Sequence, residues 1–174
     1  MLTYNELKHV ISWEPYREDW FFDRNQPESN IYIHFEKLLS DFQNNGVFES
    51  KITQDGGMTN YIEIACFNSP RKIDYCILVC ISLCSPYAAY GQVLFGSTTN
   101  SFSYAFLEAE KVGIISFDEL RPVENEVKRI LDQHNLIVID NKHASEKLPT
   151  ELAEKIDSLH EGDQLINGLF QWID

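Results

Sequence analysis

The spacing of apolar residues changes several times along this chain, and each change of period marks a different element. Near the N-terminus Leu7, Val10 and Ile11 share one helical face. Thr3 and Glu6 have the spacing of a capping box, so a short helix is predicted to start there and to end before Pro15. The stretch from Trp13 to Asn25 has no clean period: Trp13, Tyr16, Trp20, Phe21 and Phe22 are interleaved with Glu14, Glu18, Asp19 and Asp23. It reads as irregular chain packed by its own rings. From Ile31 the pattern sharpens, with Ile31, Phe35, Leu38, Leu39 and Phe42 at i, i+4, i+7, i+8 and i+11. That is an amphipathic helix, capped by Ser29 or Asn30 and closed by Gly46 in a left-handed C-terminal cap.

Beyond Gly46 the period drops to two. Val47 to Gln54 and Thr59 to Phe67 form a predicted hairpin around Asp55-Gly56-Gly57. Ile73 to Cys84, bounded by Pro70 and Pro86, is a continuous apolar run, as expected of a central strand covered on both faces. Gln92 to Gly96, Phe102 to Leu107 and Val112 to Ser116 are further candidate strands. The helical period then returns. Pro122 stands in the first turn of a helix carrying Val123, Val127, Ile130 and Leu131, and Asn135 closes it. Leu136 to Ile139 is a late strand for a sheet edge; Pro149 opens a helix with Leu152, Ala153 and Ile156; and Leu165 to Trp172 is a final helical segment. The outline is one α+β domain over residues 1–174, with a mainly antiparallel central sheet flanked by N-terminal and C-terminal helices.

Composition narrows this picture. A chain that is 44% hydrophobic is too apolar for disorder, and 174 residues suffice for a core that needs neither metal nor disulfide. The longest apolar run, from Tyr75 to Cys84, would span only about 15 Å as a helix, so no membrane span is expected. The first ten residues show no basic region ahead of an apolar one, so no secretory signal is expected. With that context, the four cysteines are expected to be reduced and the protein cytoplasmic.

Charge adds the functional hint. There are 27 acidic and 14 basic side chains, a net charge of −13. Residues 71–104 hold one acid, Asp74, and two bases, Arg71 and Lys72, so two acidic flanks enclose a nearly uncharged centre. Such a field repels nucleic acid and anionic membranes and attracts a basic protein.

Catalytic and metal-binding patterns are missing. Cys76, Cys80 and Cys84 are spaced by four, which in a strand separates neighbours by about 13 Å, too far for one zinc ion. Cys66 and Cys84 stand nearest to turns, yet nothing beside them in the sequence lowers a thiol pKa. Gly91 to Thr98 follows the phosphate-loop spacing but has Ser97 where lysine is required. His143 near Asp140, and His160 near Glu161 and Asp163, lack metal-ligand spacing. No catalytic residue, cofactor or metal is therefore expected.

The C-terminal portion, Leu148-Pro149 followed by Leu152 and Ile156, then Leu169 to Asp174, combines with the nearly uncharged strand before Ser85-Pro86-Tyr87. In these features the chain resembles the small acidic immunity proteins of bacterial polymorphic-toxin and contact-dependent inhibition systems. The resemblance implies a non-enzymatic protein that neutralises a basic toxin domain and carries no catalytic residues. The segment that joins carboxylates to large rings is the expected partner surface: Glu18, Asp19, Trp20 and Phe21. Two other readings stand beside it. One is a ligand-binding protein or small enzyme with a pocket between sheet and helices, using Tyr75, Ser82, Tyr87, Tyr90 and Tyr104; the other is a self-associating structural subunit.

Overall fold

A computed structural model describes residues 2–20, 28–56, 59–95, 106–156 and 162–171. Helix α1, Tyr4–Ile11, begins with the capping box that Thr3 and Glu6 predict. The Glu6 carboxylate accepts from the Thr3 backbone N–H at 2.8 Å, and the Thr3 hydroxyl accepts from the Glu6 N–H at 3.3 Å. Those bonds, with Arg17 at 2.7 Å, hold the Glu6 carboxyl down at about 2. Helix α2, Glu28–Gln43, buries Phe35, Leu38, Leu39 and Phe42. Its end departs from expectation, because Gly46 is not left-handed. The Asn45 side chain accepts from the Val47 N–H at 2.8 Å, a local turn that leads into the sheet without a left-handed residue.

The sheet has five strands in chain order: β1 Phe48–Asp55, β2 Tyr61–Asn68, β3 Tyr75–Ser82, β4 Tyr87–Leu94 and β5 Ile137–Val138. The first four form an antiparallel meander, and β5 lies parallel to β4 at the edge. The apolar run thus becomes β3, the middle strand. Ile77, Val79, Ile81 and Leu83 are fully buried, with Cys76 and Cys80 enclosed beside them. All four cysteines are free and buried.

Strand register assigns side chains to faces. Ile62, Ile64 and Cys66 share one face with Ile81, Val79 and Ile77, and this face packs on α2 and on α3, Arg121–Gln133. Helix α3 buries Val123, Val127, Ile130 and Leu131, as its period requires, and Asn135 follows it with a left-handed φ of 55°. Tyr61, Glu63 and Ala65 share the other face with Ser82, Cys80 and Leu78. That face is covered by the chain after Phe106 and by α6, Leu165–Leu169, with the Tyr61 and Phe170 rings meeting edge to face at 5.8 Å. Short helices α4, Asn141–Ala144, and α5, Thr150–Ala153, complete the C-terminal part.

Two strand expectations come out differently, and a third lies mostly outside the described residues. Strand β4 begins at Tyr87, earlier than Gln92. A Cβ on Gly91 would collide with the Lys111 carbonyl and the Leu107 side chain. Residues 112–116 make no strand. A 3-10 turn, Ala109–Lys111, and a left-handed Gly113 (φ 71°) break the ladder, leaving one bridge between Val112 and Gly91. Residues 102–105 lie outside the described residues, and Phe106 and Leu107 are irregular. No helix among the described residues is long and apolar enough to cross a membrane.

Candidate functional site

The segment expected to meet a partner is tied to the end of β3. The Tyr16 N–H donates to the Cys84 carbonyl at 2.8 Å, and the Trp20 indole N–H donates to the Leu83 carbonyl at 2.6 Å. Tyr16 and Trp20 meet edge to face at 5.2 Å. Trp20 is therefore half-buried against the core, while Glu18 and Asp19 beside it are exposed. Trp13 is also half-buried, its indole donating to Gln171 at 3.3 Å; Phe21 and Phe22 lie outside the described residues.

The polar residues proposed for a central pocket do not converge. Tyr75 packs on Phe117 at 4.6 Å, and Tyr90 donates to Glu124 of α3 at 3.2 Å. Tyr87 lines a mostly apolar groove with Leu7, Ile139 and Leu169, and Tyr104 is outside the described residues. Ser82, with Asn60 and Ser85, holds a buried polar atom without a partner among the described residues, but none of the three lines a cavity. Glu124 is a satisfied structural ion cluster: Arg121 at 2.8 Å and Lys128 at 2.7 Å flank it.

A cavity does exist between the sheet and its C-terminal cover, built around a residue that the hydrophobic pattern did not single out. Glu63 lies mid-strand in β2, only 6% exposed, opposite Cys80 on β3. A β-bulge in β1 between Ile52 and Gln54 leaves Thr53 without a ladder partner, and its hydroxyl donates to a Glu63 carboxylate oxygen at 2.6 Å. Tyr61, two residues earlier on the same face of β2, is 3% exposed. Both side chains line a cavity of about 270 Å³, with Cys80 beside them. Phe106, Glu108, Glu110, Gln164, Ile166, Asn167 and Phe170 supply much of the remaining wall.

Among the described residues three carboxyl groups line the cavity, Glu63, Glu108 and Glu110, and no lysine, arginine or histidine does. Lys111 pairs with Glu108 at 2.6 Å and holds its carboxyl below the ordinary range. No such help reaches Glu63. Burial pushes its carboxyl up to about 7, against the pull of the Thr53 hydrogen bond. Burial also raises the Tyr61 hydroxyl and the Cys80 thiol, and the nearby Glu63 charge adds to both. The other cysteines are likewise held as thiols, Cys76 up at about 12. Nucleophilic chemistry at these sulfurs is disfavoured. Among the described residues no group of three or more His, Cys, Asp or Glu is placed to hold a metal ion.

Sequence reasoning passed over Glu63 because alternation put it on the nominally polar face of β2. Its same-face neighbours Tyr61, Ala65 and Phe67 were the available signal that this face, too, is covered. Compared with protein-family models, curated proteins and solved structures, the chain has no significant match.

Proposed function

We propose that this chain is a non-enzymatic protein-binding module for a basic protein domain, with a bacterial toxin domain as the partner class that its resemblance to immunity proteins implies. The carrying observation is the charge surplus and where it sits. Glu18, Asp19, Glu110, Asp118, Glu119 and Glu154 are exposed and form no ion pair with another described residue, on a chain of net charge −13. A surface of that kind accelerates encounter with a basic partner by roughly 10 to 10³-fold and disfavours acidic competitors. The proposed compartment is the cytoplasm, where four free cysteines stay reduced. Affinity capture from host extract at low and at high salt tests the reading. It expects a strongly basic protein that is released by salt; salt-insensitive capture, or no basic protein, refutes it.

The Glu63 cavity favours a second reading, a pocket for a small ligand or for catalysis. Among the described residues its lining has a carboxyl near neutrality, but no histidine to share proton transfer and a cysteine kept protonated. These groups suit recognition better than turnover.

A further inference from the structure

We propose that the apolar groove beside β5 receives an extended segment of the basic partner, which pairs with the open edge of β5 and lays an apolar side chain in the groove. The inference rests on the reading of the chain as a binder of basic proteins, and it names the point of contact. The sheet ends in two edges, β1 and β5, and they differ. Strand β1 carries a bulge between Ile52 and Gln54 and the exposed charged side chains Glu49, Lys51 and Asp55, devices that keep another strand away. Strand β5 has no bulge, no proline and no charge, and its Ile137 and Val138 are 50% and 39% exposed. The Ile137 and Ile139 N–H groups donate to the carbonyls of Pro86 and Ala88, at 2.8 and 3.0 Å. Alternation along the strand therefore turns the Val138 N–H and C=O outward, away from β4. A donor and an acceptor side by side on an open sheet edge are what an extended backbone pairs with.

The groove begins at that edge. Ile137 and Val138 form its lip, and Leu7, Tyr87, Leu165 and Leu169 line it. Side chains of an added strand alternate between faces, so every second one can be laid on the groove side. At two residues β5 is too short to hold a strand by backbone bonds alone, and the groove supplies the anchor. Charge says whose strand it is. Of the charged side chains lining the groove, Lys147 is held by Asp163 and His143 by Asp140, each at 2.7 Å. Glu146 is exposed and forms no ion pair with another described residue. A lysine or arginine beside the anchoring residue complements it. A second copy of this chain would instead bring another net charge of −13 to the contact. A small apolar ligand would fill the groove and make no use of the Val138 backbone.

The test uses the full chain, isotope-labelled, with a short alternating valine–lysine peptide, acetylated and amidated, as the probe. One control is the same peptide with its backbone N-methylated, which keeps the side chains and removes the donors; the other replaces lysine by glutamate. The expected result is saturable chemical-shift changes centred on residues 136–140 and on Leu7, Leu165 and Leu169, with slowed hydrogen exchange at the Val138 amide. Both control peptides should bind about tenfold more weakly or not at all. Ile137→Ser, at an exposed position, should weaken the lysine peptide several-fold, and so should Val138→Pro, which removes an N–H that the ladder to β4 does not use. Circular dichroism confirms that both variants are folded, and the N-methylated peptide asks the same question with the protein unaltered. Equal binding of the N-methylated peptide, no saturable response, or shifts centred on β1 or scattered over exposed carboxylates would overturn the proposal. So would a concentration-dependent dimer in sedimentation whose formation protects the Val138 amide, because the occupant would then be a second copy. In those cases salt-sensitive capture of a basic protein would still stand. Failure of the capture experiment with an intact peptide response would instead refute the partner reading and leave a strand-accepting edge.

Discussion

Replacing Glu63 by glutamine should stabilise the protein, and the gain should depend on pH. In the folded state burial raises this carboxyl from 4.5 to about 7, and the residue is 6% exposed, so solvent screens little of the effect. The sign follows from proton counting. Between about 4.5 and 7 the folded chain keeps a proton that the unfolded chain releases, so stability falls as pH rises through this window. Below it both states are protonated and the group is neutral in effect. Above it both are ionised, and the folded state carries a buried carboxylate that, among the described residues, has the Thr53 hydrogen bond and no ion pair. At about 1.4 kcal/mol per pKa unit, a shift of this size costs about 3 kcal/mol at pH 8. Glutamine has nearly the same shape, and its amide oxygen can still accept from Thr53. The substitution should therefore gain about 2–3 kcal/mol at pH 8 and close to nothing near pH 4.5. For a chain of 174 residues that is roughly 5–10 °C in melting temperature.

Thermal or urea denaturation of wild type and Glu63→Gln at pH 5 and pH 8 measures it. Taking the difference between variants removes the titration of the other acidic groups, which both chains share. An equal effect at both pH values, or a loss of stability at pH 8, would refute the reasoning. The first outcome would mean that the carboxyl titrates normally; the second, that a cation already neutralises it.

Val79→Asp places a charge in the middle strand, where Val79 is fully buried, and should abolish soluble expression; a soluble, cooperatively melting variant would refute the packing. Trp20→Ala removes the indole bond to Leu83 and half-buried ring packing, so it should lower stability by about 2–3 kcal/mol, and a melting temperature within about 1 °C of wild type would detach this ring from the core. Gln171→Ala should cost about 3 kcal/mol, because the Gln171 side chain donates to the carbonyls of Ile11 and Gly168, both at 3.1 Å, and accepts from Trp13. Denaturant melts check it, and a loss under about 1 kcal/mol would show that this tie between the two chain ends is replaceable.

What the sequence revealed and what it concealed divide along physical lines. Helix α3 and strand β3 were legible because their burial is written in local periodicity: Val123, Val127, Ile130 and Leu131 on one stripe, and an unbroken run from Tyr75. The capping box at Thr3 was legible because both of its partners lie within three residues. The Gly46 cap and the strand over 112–116 were misread because side-chain and backbone alternatives compete locally, an Asn45 turn in one case and Gly113 in the other. Glu63 was illegible for a different reason. Its burial depends on residues 106–110 and 164–170, which come more than forty positions later and cover a face that period-two alternation marks as polar. Locally only its apolar same-face neighbours Tyr61, Ala65 and Phe67 point to a roofed carboxylate rather than a solvated one. The hydrophobic pattern records what the fold needs, whereas burial at Glu63 penalises the charged form of its carboxyl. A side chain of that kind appears only when the burial of each polar group is traced through the assembled structure, and there the trace leads to Glu63, enclosed with Phe106, Glu108, Gln164 and Phe170 around it.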